Sequence, residues 1–152
     1  MMRKSILCLT FLCLQAGALR AQVTLAERAS GRTDFELVTA DSGSPVCYDA
    51  ADAAVVGTAA GLFAADVARV TGREIPVVAG QELPAGTRYA VIVGTVGQSR
   101  WIDELAAAKK LDVSAIEGGW ERYTLRLVDR PGHGLRKALV IAGSDRRGAA
   151  YG

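Results

Sequence analysis

Histidine and cysteine, which supply many catalytic and metal-binding side chains, are scarce in this 152-residue chain. His133 is the single histidine, and it stands between two glycines in a segment typical of a hairpin turn. It has no second imidazole with which to share a metal ion and no partners for a catalytic triad. The sequence therefore predicts a solvated turn residue at His133, no metal site and no cofactor.

Two of the three cysteines, Cys8 and Cys13, fall in an N-terminal segment that we interpret below as an export signal. Cys47 alone would remain after export, so no internal disulfide could form in the mature chain. With His133 as the only imidazole base and with apolar neighbours, Cys47 is predicted to be a small buried core residue rather than a nucleophile.

The chain also lacks a concentration of charge of either sign. It carries 18 Lys and Arg against 16 Asp and Glu. Removal of residues 1–21 would take away three basic residues and no acidic one, leaving 15 against 16. Because phosphate backbones are bound by a concentrated positive field, we expect no nucleic-acid partner.

Aromatic residues amount to only 6% of the chain, and two of them are tryptophans. Trp101 opens a predicted helix and Trp120 starts a predicted strand, so packing is the expected role of both rather than stacking on sugar rings. Glycoside cleavage uses two carboxylates at a defined separation, and no such pair stands out in the sequence. The acidic residues are therefore expected to be solvated surface groups.

The N-terminal segment has the composition of an export signal. Arg3 and Lys4 form a positive start, residues 5–14 are apolar, and small residues at 16–18 or at Ala21 suit a cleavage site. The apolar run is shorter than the roughly 20 residues that a membrane-spanning helix requires. Cleavage is therefore favoured over anchoring.

We accordingly expect a signal peptide at 1–21 and a single domain at 22–152 that works in the periplasm or outside the cell. The second part has 131 residues, which is long enough to bury a sizeable core. No contact with a membrane is expected after cleavage.

Hydrophobic periodicity predicts short strands alternating with helices. The runs at 89–93 and 138–142 are apolar without alternation, which is typical of central strands covered on both faces. This order of elements predicts an α/β (α+β) fold with a mixed central β-sheet flanked by helices. The other predicted strands lie at 35–38 (edge), 45–48, 75–78 (edge) and 123–127, the last with one wet face.

Two complete helices are predicted. The first runs from about residue 50 to Thr71, with Asp49 as its cap and Gly72 as its stop. The second follows Ser99 as a cap, with acidic residues in its first turn and Lys109 and Lys110 in its last. The apolar stripe of the first helix is predicted to consist of Val56, Ala59, Phe63, Val67 and Val70.

The turn Gly94-Thr95-Val96-Gly97 lies between a buried strand and a helix, where a phosphate site could form. Neither the G-x-G-x-x-G nor the G-x-x-x-x-G-K-[ST] spacing is present, however. We therefore predict a plain turn, which disfavours a nucleotide-dependent α/β enzyme.

The C-terminal stretch offers the weak candidates for a binding site. An apolar strand stops at Gly143, and the next residues can cap a helix that opens at Arg146. The structural interpretation is a cap with arginines paired to carboxylates, whereas a helix start with two arginines also suits an anion or a uronate. The candidate residues are Ser144, Asp145, Arg146, Arg147 and Gly148.

Four segments carry a resemblance to a known family: residues 52–72, which end in RVTG, 90–97 (AVIVGTVG), 111–121 (LDVSAIEGGWE) and 138–152 (ALVIAGSDRRGAAYG). In this order they resemble blocks of the N-terminal domain of glycoside hydrolase family 115, the xylan α-1,2-glucuronidases. The family block that matches the last segment reads IAGSD(K/R)RGTIYG, so alanines replace the usual Thr-Ile at 149 and 150.

The resemblance implies an accessory α/β domain ahead of a (β/α)8 barrel that removes glucuronic acid or its 4-O-methyl ether from xylan. In that family the catalytic and uronate-binding residues lie in the barrel, so this chain is expected to be a fragment without activity of its own. Its expected partners are the missing barrel of the same polypeptide and a xylan-derived polysaccharide.

The alternative is a free-standing exported carbohydrate-binding module. Such a module needs an exposed aromatic platform, so burial of both Trp101 and Trp120 would weigh against it.

Overall fold

The structure is a computed structural model that describes Gly31 and residues 34–152; the predicted signal peptide at 1–21 lies outside the described residues. Five strands and three helices follow one another in the described part. The strands are β1 Val46–Tyr48, β2 Val77–Ala79, β3 Tyr89–Thr95, β4 Tyr123–Gly132 and β5 Leu135–Gly143, and the helices are α1 Ala54–Thr71, α2 Arg100–Ala107 and α3 Arg146–Tyr151.

The strands form one mixed sheet in the order β2-β1-β3-β5-β4. Strands β1, β2, β3 and β5 run parallel, and β4 pairs with β5 in the antiparallel direction. The predicted class, a mixed central sheet flanked by helices, is confirmed. The predicted edge position of the strand around Val77 is also confirmed, because β2 lies at one end of the sheet.

Strand β3 lies at the centre of the sheet and is covered on both faces, as predicted. Val91 and Val93 belong to the apolar cluster on the side of α1 and α3. Ala90 and Ile92 belong to the cluster on the other side, which includes α2. Full burial of a Val or Ile side chain contributes about 1.5–3 kcal/mol, so this strand anchors both layers of the core.

Helix α1 begins at Ala54, later than the predicted start near residue 50. The predicted cap by Asp49 is wrong, because its carboxylate is used elsewhere. Its Oδ1 accepts a hydrogen bond from the N–H of Ala51 (3.0 Å), and its Oδ2 accepts one from the backbone N–H of Arg100 (3.1 Å). The acid therefore joins β1 to the start of α2 rather than capping α1.

The buried face of α1 also differs from the predicted stripe. Ala59 and Phe63 are only partly buried, and Val70 is 85% exposed. Small residues let the helix approach the sheet closely; a Cβ on Gly57 would lie 2.8 Å from the ring of Tyr48. The residues that face the core are Val56, Ala60, Ala64 and Val67.

Helix α1 stops at Gly72, as predicted. This glycine has a left-handed backbone (φ 70°), and its N–H donates to the carbonyl of Ala68. By length and composition alone the helix could span a membrane, yet its buried residues pack in the apolar cluster on one face of the sheet.

Helix α2 is shorter than predicted. It ends at Ala107, so the prediction of Lys109 and Lys110 in its last turn is wrong. The chain reverses at Lys109, which has a positive φ of 56°. The Lys110 ammonium group then donates to the carbonyl of Arg130 at 2.6 Å, so it contacts the β4–β5 hairpin instead of the helix end.

Residues 35–38 do not form the predicted edge strand. Val38 makes only an isolated antiparallel bridge to Gly43. The turn between them is held by the hydroxyl of Thr39, which accepts a hydrogen bond from the N–H of Ser42 (3.0 Å). Phe35, Leu37 and Val38 instead pack against the apolar cluster on the side of α1.

Strand β4 is the antiparallel edge of the sheet, and its apolar residues are less buried than predicted. Leu125 packs against the core, but Tyr123 and Leu127 are 46% and 50% exposed. The predicted wet face holds for Arg126, which is exposed, whereas Val128 on that face is buried. Both faces of β4 are therefore partly open to solvent.

Candidate functional site

The predicted site residues form a tight cap at the start of α3. The Oδ1 of Asp145 accepts hydrogen bonds from the N–H groups of Arg147 (2.9 Å) and Gly148 (2.8 Å). The predicted helix start at Arg146 is confirmed. The Oδ2 of Asp145 accepts from the N–H of Glu121 at 2.8 Å, so the same carboxylate also fixes the entry to β4.

These hydrogen bonds determine the charge state of Asp145. The bond from Glu121 contributes most, followed by that from Gly148, and together they lower the pKa of this carboxyl. Since both oxygens already accept backbone N–H groups, the side chain acts as a structural acceptor in the ionised form.

Ser144 joins the end of β5 to the residue that precedes β4. Its hydroxyl accepts a hydrogen bond from the N–H of Arg122 (3.0 Å) and lies 3.1 Å from the carbonyl of the same residue. The backbone N–H of Ser144 donates to that carbonyl as well (2.8 Å). Its polar atoms are thus occupied by the neighbouring chain segment.

Gly148 is required by a close backbone approach. A Cβ at this position would collide with the carbonyl oxygen of Arg122. Gly143 meets the same restriction, since a Cβ there would collide with the backbone of Ala149. The two glycines therefore let α3 lie directly on the ends of β5 and β4.

The two arginines of the turn have different surroundings. Arg147 forms an ion pair with Glu121 (2.8 Å) and lies over the ring of Tyr151, with 5.9 Å between the guanidinium carbon and the ring centroid. Arg146 is exposed and has no ion-pair partner within the part of the chain that the structure describes. Arg147 is exposed too, so of the two arginines Arg146 is the one that has no ion pair with another described residue.

A second candidate region lies where the parallel strands β1 and β3 end. Doubly wound sheets bind ligands at this kind of position, where neighbouring connections leave in opposite directions. Here Asp52 fills the space: its Oδ2 accepts from the N–H of Thr95 and its Oδ1 from the N–H of Ala53, both at 2.7 Å. The backbone N–H groups that could bind a ligand at this end of β1 and β3 are therefore already paired with Asp52.

Asp49 closes the same edge from the side of β1. Its Oδ2 accepts from the guanidinium Nε of Arg100 at 3.1 Å in addition to the backbone bonds described above. The N–H of Ala51 is the main cause of the lowered pKa of Asp49, with smaller contributions from Arg100. This acid is 1% exposed, so it is held as a buried carboxylate by its donors.

The predicted turn at 94–97 begins later than expected, because Gly94 and Thr95 still belong to β3 and the turn lies at 96–98. Ser99 takes the N-cap position of α2, but the prediction that its side chain caps the helix is wrong. Its hydroxyl lies against Gly94, where an added Cβ would meet the Oγ of Ser99. The turn before α2 is held by the carboxylate of Asp103, which accepts a hydrogen bond from the N–H of Gly97 at 2.8 Å.

His133 has partners that the sequence did not reveal. Its Nε2 lies 3.0 Å from Oε2 of Glu104, and its ring lies 4.6 Å from that of Trp101. The amide of Gln81 donates a hydrogen bond to the other oxygen of Glu104 (3.0 Å). Both contacts lower the pKa of Glu104, and the hydrogen bond from Gln81 has the larger effect. His133 is an exposed residue of the hairpin turn, as predicted, and its contact with Glu104 additionally joins the hairpin to α2.

The two tryptophans differ in their exposure to solvent. Trp101 is buried, at 2% exposure, and its indole N–H donates to the carbonyl of Gly80 (3.0 Å), which confirms its predicted packing role. Trp120 is 75% exposed, so the same prediction is wrong for it. Its position between a glycine pair and the start of β4 leaves the ring outside the sheet.

Cys47 is a buried core residue, as predicted. Burial raises the pKa of its thiol to about 12, so the reactive thiolate is not formed near neutral pH. Among the described residues, no three His, Cys, Asp or Glu side chains are arranged as a metal site.

Comparison with known proteins finds similarity among solved structures. No protein-family model matches the chain, and no curated protein matches it. A solved structure of BtGH115A, described as a family GH115 4-O-methyl-α-glucuronidase with specificity for decorated arabinogalactans, is similar with a TM-score of 0.56 and 26% identity. The similarity covers 78% of this chain and 13% of that one, so the fold is related to part of a family 115 enzyme.

Proposed function

We propose that this chain is the N-terminal accessory domain of an exported glycoside hydrolase related to the α-glucuronidases that remove glucuronic acid or its 4-O-methyl ether from xylan. The domain precedes a (β/α)8 barrel of the same polypeptide and has no hydrolytic activity by itself. A xylan-derived polysaccharide is the substrate of the complete enzyme.

The observation that carries this proposal is the structural similarity to BtGH115A. It agrees with the four sequence segments that resemble the N-terminal domain of family 115 in the same order. The aligned region is a small part of that enzyme, which supports an accessory role rather than a catalytic one.

The hydrogen bonding of the acidic residues also supports a non-catalytic role. Asp49, Asp52 and Asp145 accept backbone N–H groups on both of their oxygens. A carboxylate that acts as acid, base or nucleophile must instead reach the substrate. These three acids are occupied in holding the domain together.

Uronic-acid release tests the proposal. The purified 152-residue chain, incubated with glucuronoxylan, is expected to release no uronic acid. Release by this chain alone would contradict the proposal, provided that the activity co-purifies with the folded protein.

The DNA downstream of codon 152 provides an independent test. An open reading frame that continues into a barrel would support the accessory-domain assignment. A genuine stop codon would contradict the proposal that the chain is part of a longer enzyme, and it would favour an independent binding module.

Export is the second part of the proposal. Fusion of residues 1–21 to a reporter that is active only outside the cytoplasm should give a signal, and replacement of Arg3 and Lys4 by acidic residues should reduce it. A reporter signal that requires no part of this segment would contradict the assignment.

A free-standing carbohydrate-binding module remains the second candidate, because Trp120 is 75% exposed. An exposed indole can stack on a sugar ring. Binding of the isolated chain to insoluble xylan that is lost in Trp120→Ala would favour the module, whereas equal binding by both proteins would oppose it.

A further inference from the structure

A groove of about 530 Å³ lies at the amino ends of the parallel strands. We call it the amino-end groove; it is lined mainly by Glu36, segments 41–45 and 84–89, and Arg136. Since β5 runs from Leu135 to Gly143, the groove lies at the opposite end of the sheet from the turn at the start of α3. It is therefore separate from the sites considered above.

Two arginines stand side by side in this groove. The register of the parallel strands β3 and β5 begins with Tyr89 opposite Lys137, so Arg88 and Arg136 occupy the preceding pair of positions. The N–H of Arg136 donates to the carbonyl of Arg88 at 2.8 Å, which holds the two backbones together. Neighbouring strands are about 4.8 Å apart, so the backbones that carry the two positive side chains are adjacent.

Among the described residues, neither guanidinium forms an ion pair. Both Arg88 and Arg136 are exposed. Like charges on directly adjacent strand positions destabilise a sheet. A bound carboxylate would offset this repulsion, because the planar guanidinium matches it with two parallel hydrogen bonds.

The remaining lining suits hydroxyl groups rather than a second negative charge. The side chains of Glu36 and Asp41 line the same groove without forming an ion pair with either arginine. Carboxylates accept hydrogen bonds and would repel a polyanion. The half-buried ring of Tyr89 lies edge-on to Phe35, with 5.9 Å between centroids, and so gives the groove a fixed aromatic element.

We propose that the amino-end groove binds a uronic-acid residue of a glycan. Arg88 and Arg136 pair with the sugar carboxylate, and Glu36 and Asp41 accept hydrogen bonds from the ring hydroxyls. This inference rests on the proposed function for the class of sugar, and it gives the accessory domain a direct role in holding acidic glycan.

The first test is a titration of the ¹⁵N-labelled 152-residue chain with sodium glucuronate, followed by amide chemical shifts. Shifts are expected in segment 84–89 and around Arg136, with an affinity at least tenfold higher than that for glucose. Equal affinity for glucose and glucuronate, or shifts confined to the turn at Ser144–Gly148, would overturn the proposal.

The second test uses single variants. Arg88→Ala and Arg136→Ala should each weaken glucuronate binding by about tenfold, because each removes charge-assisted hydrogen bonds to the carboxylate. Arg136→Lys keeps the charge but not the two-pronged geometry, so it should retain part of the affinity. Arg126→Ala, on the exposed face of β4, removes the same charge elsewhere and should bind like the wild type.

Thermal unfolding of each variant checks that the fold is intact. Unchanged glucuronate affinity in folded Arg88→Ala and Arg136→Ala proteins would overturn the inference. That result would leave the accessory-domain proposal standing, because uronic-acid release and the downstream DNA test it separately.

Discussion

The carboxylate of Asp145 accepts a hydrogen bond from the backbone N–H of Glu121, a residue 24 positions earlier, while it caps α3. One side chain thus fixes both the start of a helix and the start of the edge strand β4. Glu121 returns a second contact through its ion pair with Arg147. The last helix is consequently attached to the sheet at two points.

This relationship predicts an acid-dependent loss of stability. The pKa of Asp145 is lowered in the folded protein, so its contribution is fully present above the unfolded-state pKa, near pH 4, and is lost as the pH falls through the lower folded value. Asp145→Asn should flatten the decrease in the free energy of unfolding below pH 4, as measured by urea unfolding. An identical pH profile in the variant would contradict the assignment.

Gly148→Ala is predicted to destabilise the domain. The new Cβ would collide with the carbonyl of Arg122, so the helix or the strand must shift, at a cost of about 1–3 kcal/mol. Gly61→Ala is the matched control, because nothing lies within 4 Å of its added Cβ and alanine favours the helix by about 0.5–1 kcal/mol. In chemical denaturation, the free energy of unfolding should fall in Gly148→Ala and rise in Gly61→Ala. Equal changes in the two variants would contradict the predicted collision at Gly148.

The two tryptophans should differ sharply in their contribution to stability. Trp101→Ala removes a buried ring and its hydrogen bond to Gly80, which should cost about 3–5 kcal/mol. Trp120→Ala changes a mostly exposed ring, so the free energy of unfolding should stay within about 0.5 kcal/mol of wild type. A large loss in the second variant would mean that Trp120 packs against something other than solvent.

Cys47 should resist thiol reagents in the folded protein. With the pKa raised to about 12 by burial, the thiolate is so rare at pH 8 that labelling should be more than ~100-fold slower than for a free cysteine. The measurement uses a chain with Cys8→Ser and Cys13→Ser, and unfolding in urea serves as the positive control. Fast labelling of the native protein would contradict burial of this residue.

The sequence predicts well those features that depend on neighbouring residues. The unbroken apolar run around Ile92 predicts the central strand, and Gly72 predicts the end of α1. The cap at Asp145 and the helix start at Arg146 follow from adjacent residues as well. Each of these depends on local backbone geometry and local composition.

The incorrect predictions involve partners that are distant in the chain. The sequence predicts Asp49 as a helix cap, but its carboxylate accepts hydrogen bonds from Arg100, 51 positions away. The exposed turn position of His133 follows from the sequence, but its contact with Glu104, 29 positions earlier, does not. The Arg88 and Arg136 pair was missed for the same reason, because only the sheet register places the two residues together.

The exposed strand β4 bears on how the domain behaves in solution. An edge strand presents unpaired N–H and C=O groups that can recruit a strand from another molecule, and the half-exposed Leu127 would reinforce such pairing. Two features interrupt this row of unpaired groups: the shift in strand register between Asp129 and Gly132, and the charge of Arg130. Replacing Arg130 with a β-branched apolar residue is therefore expected to favour pairing of β4 with a strand of another molecule.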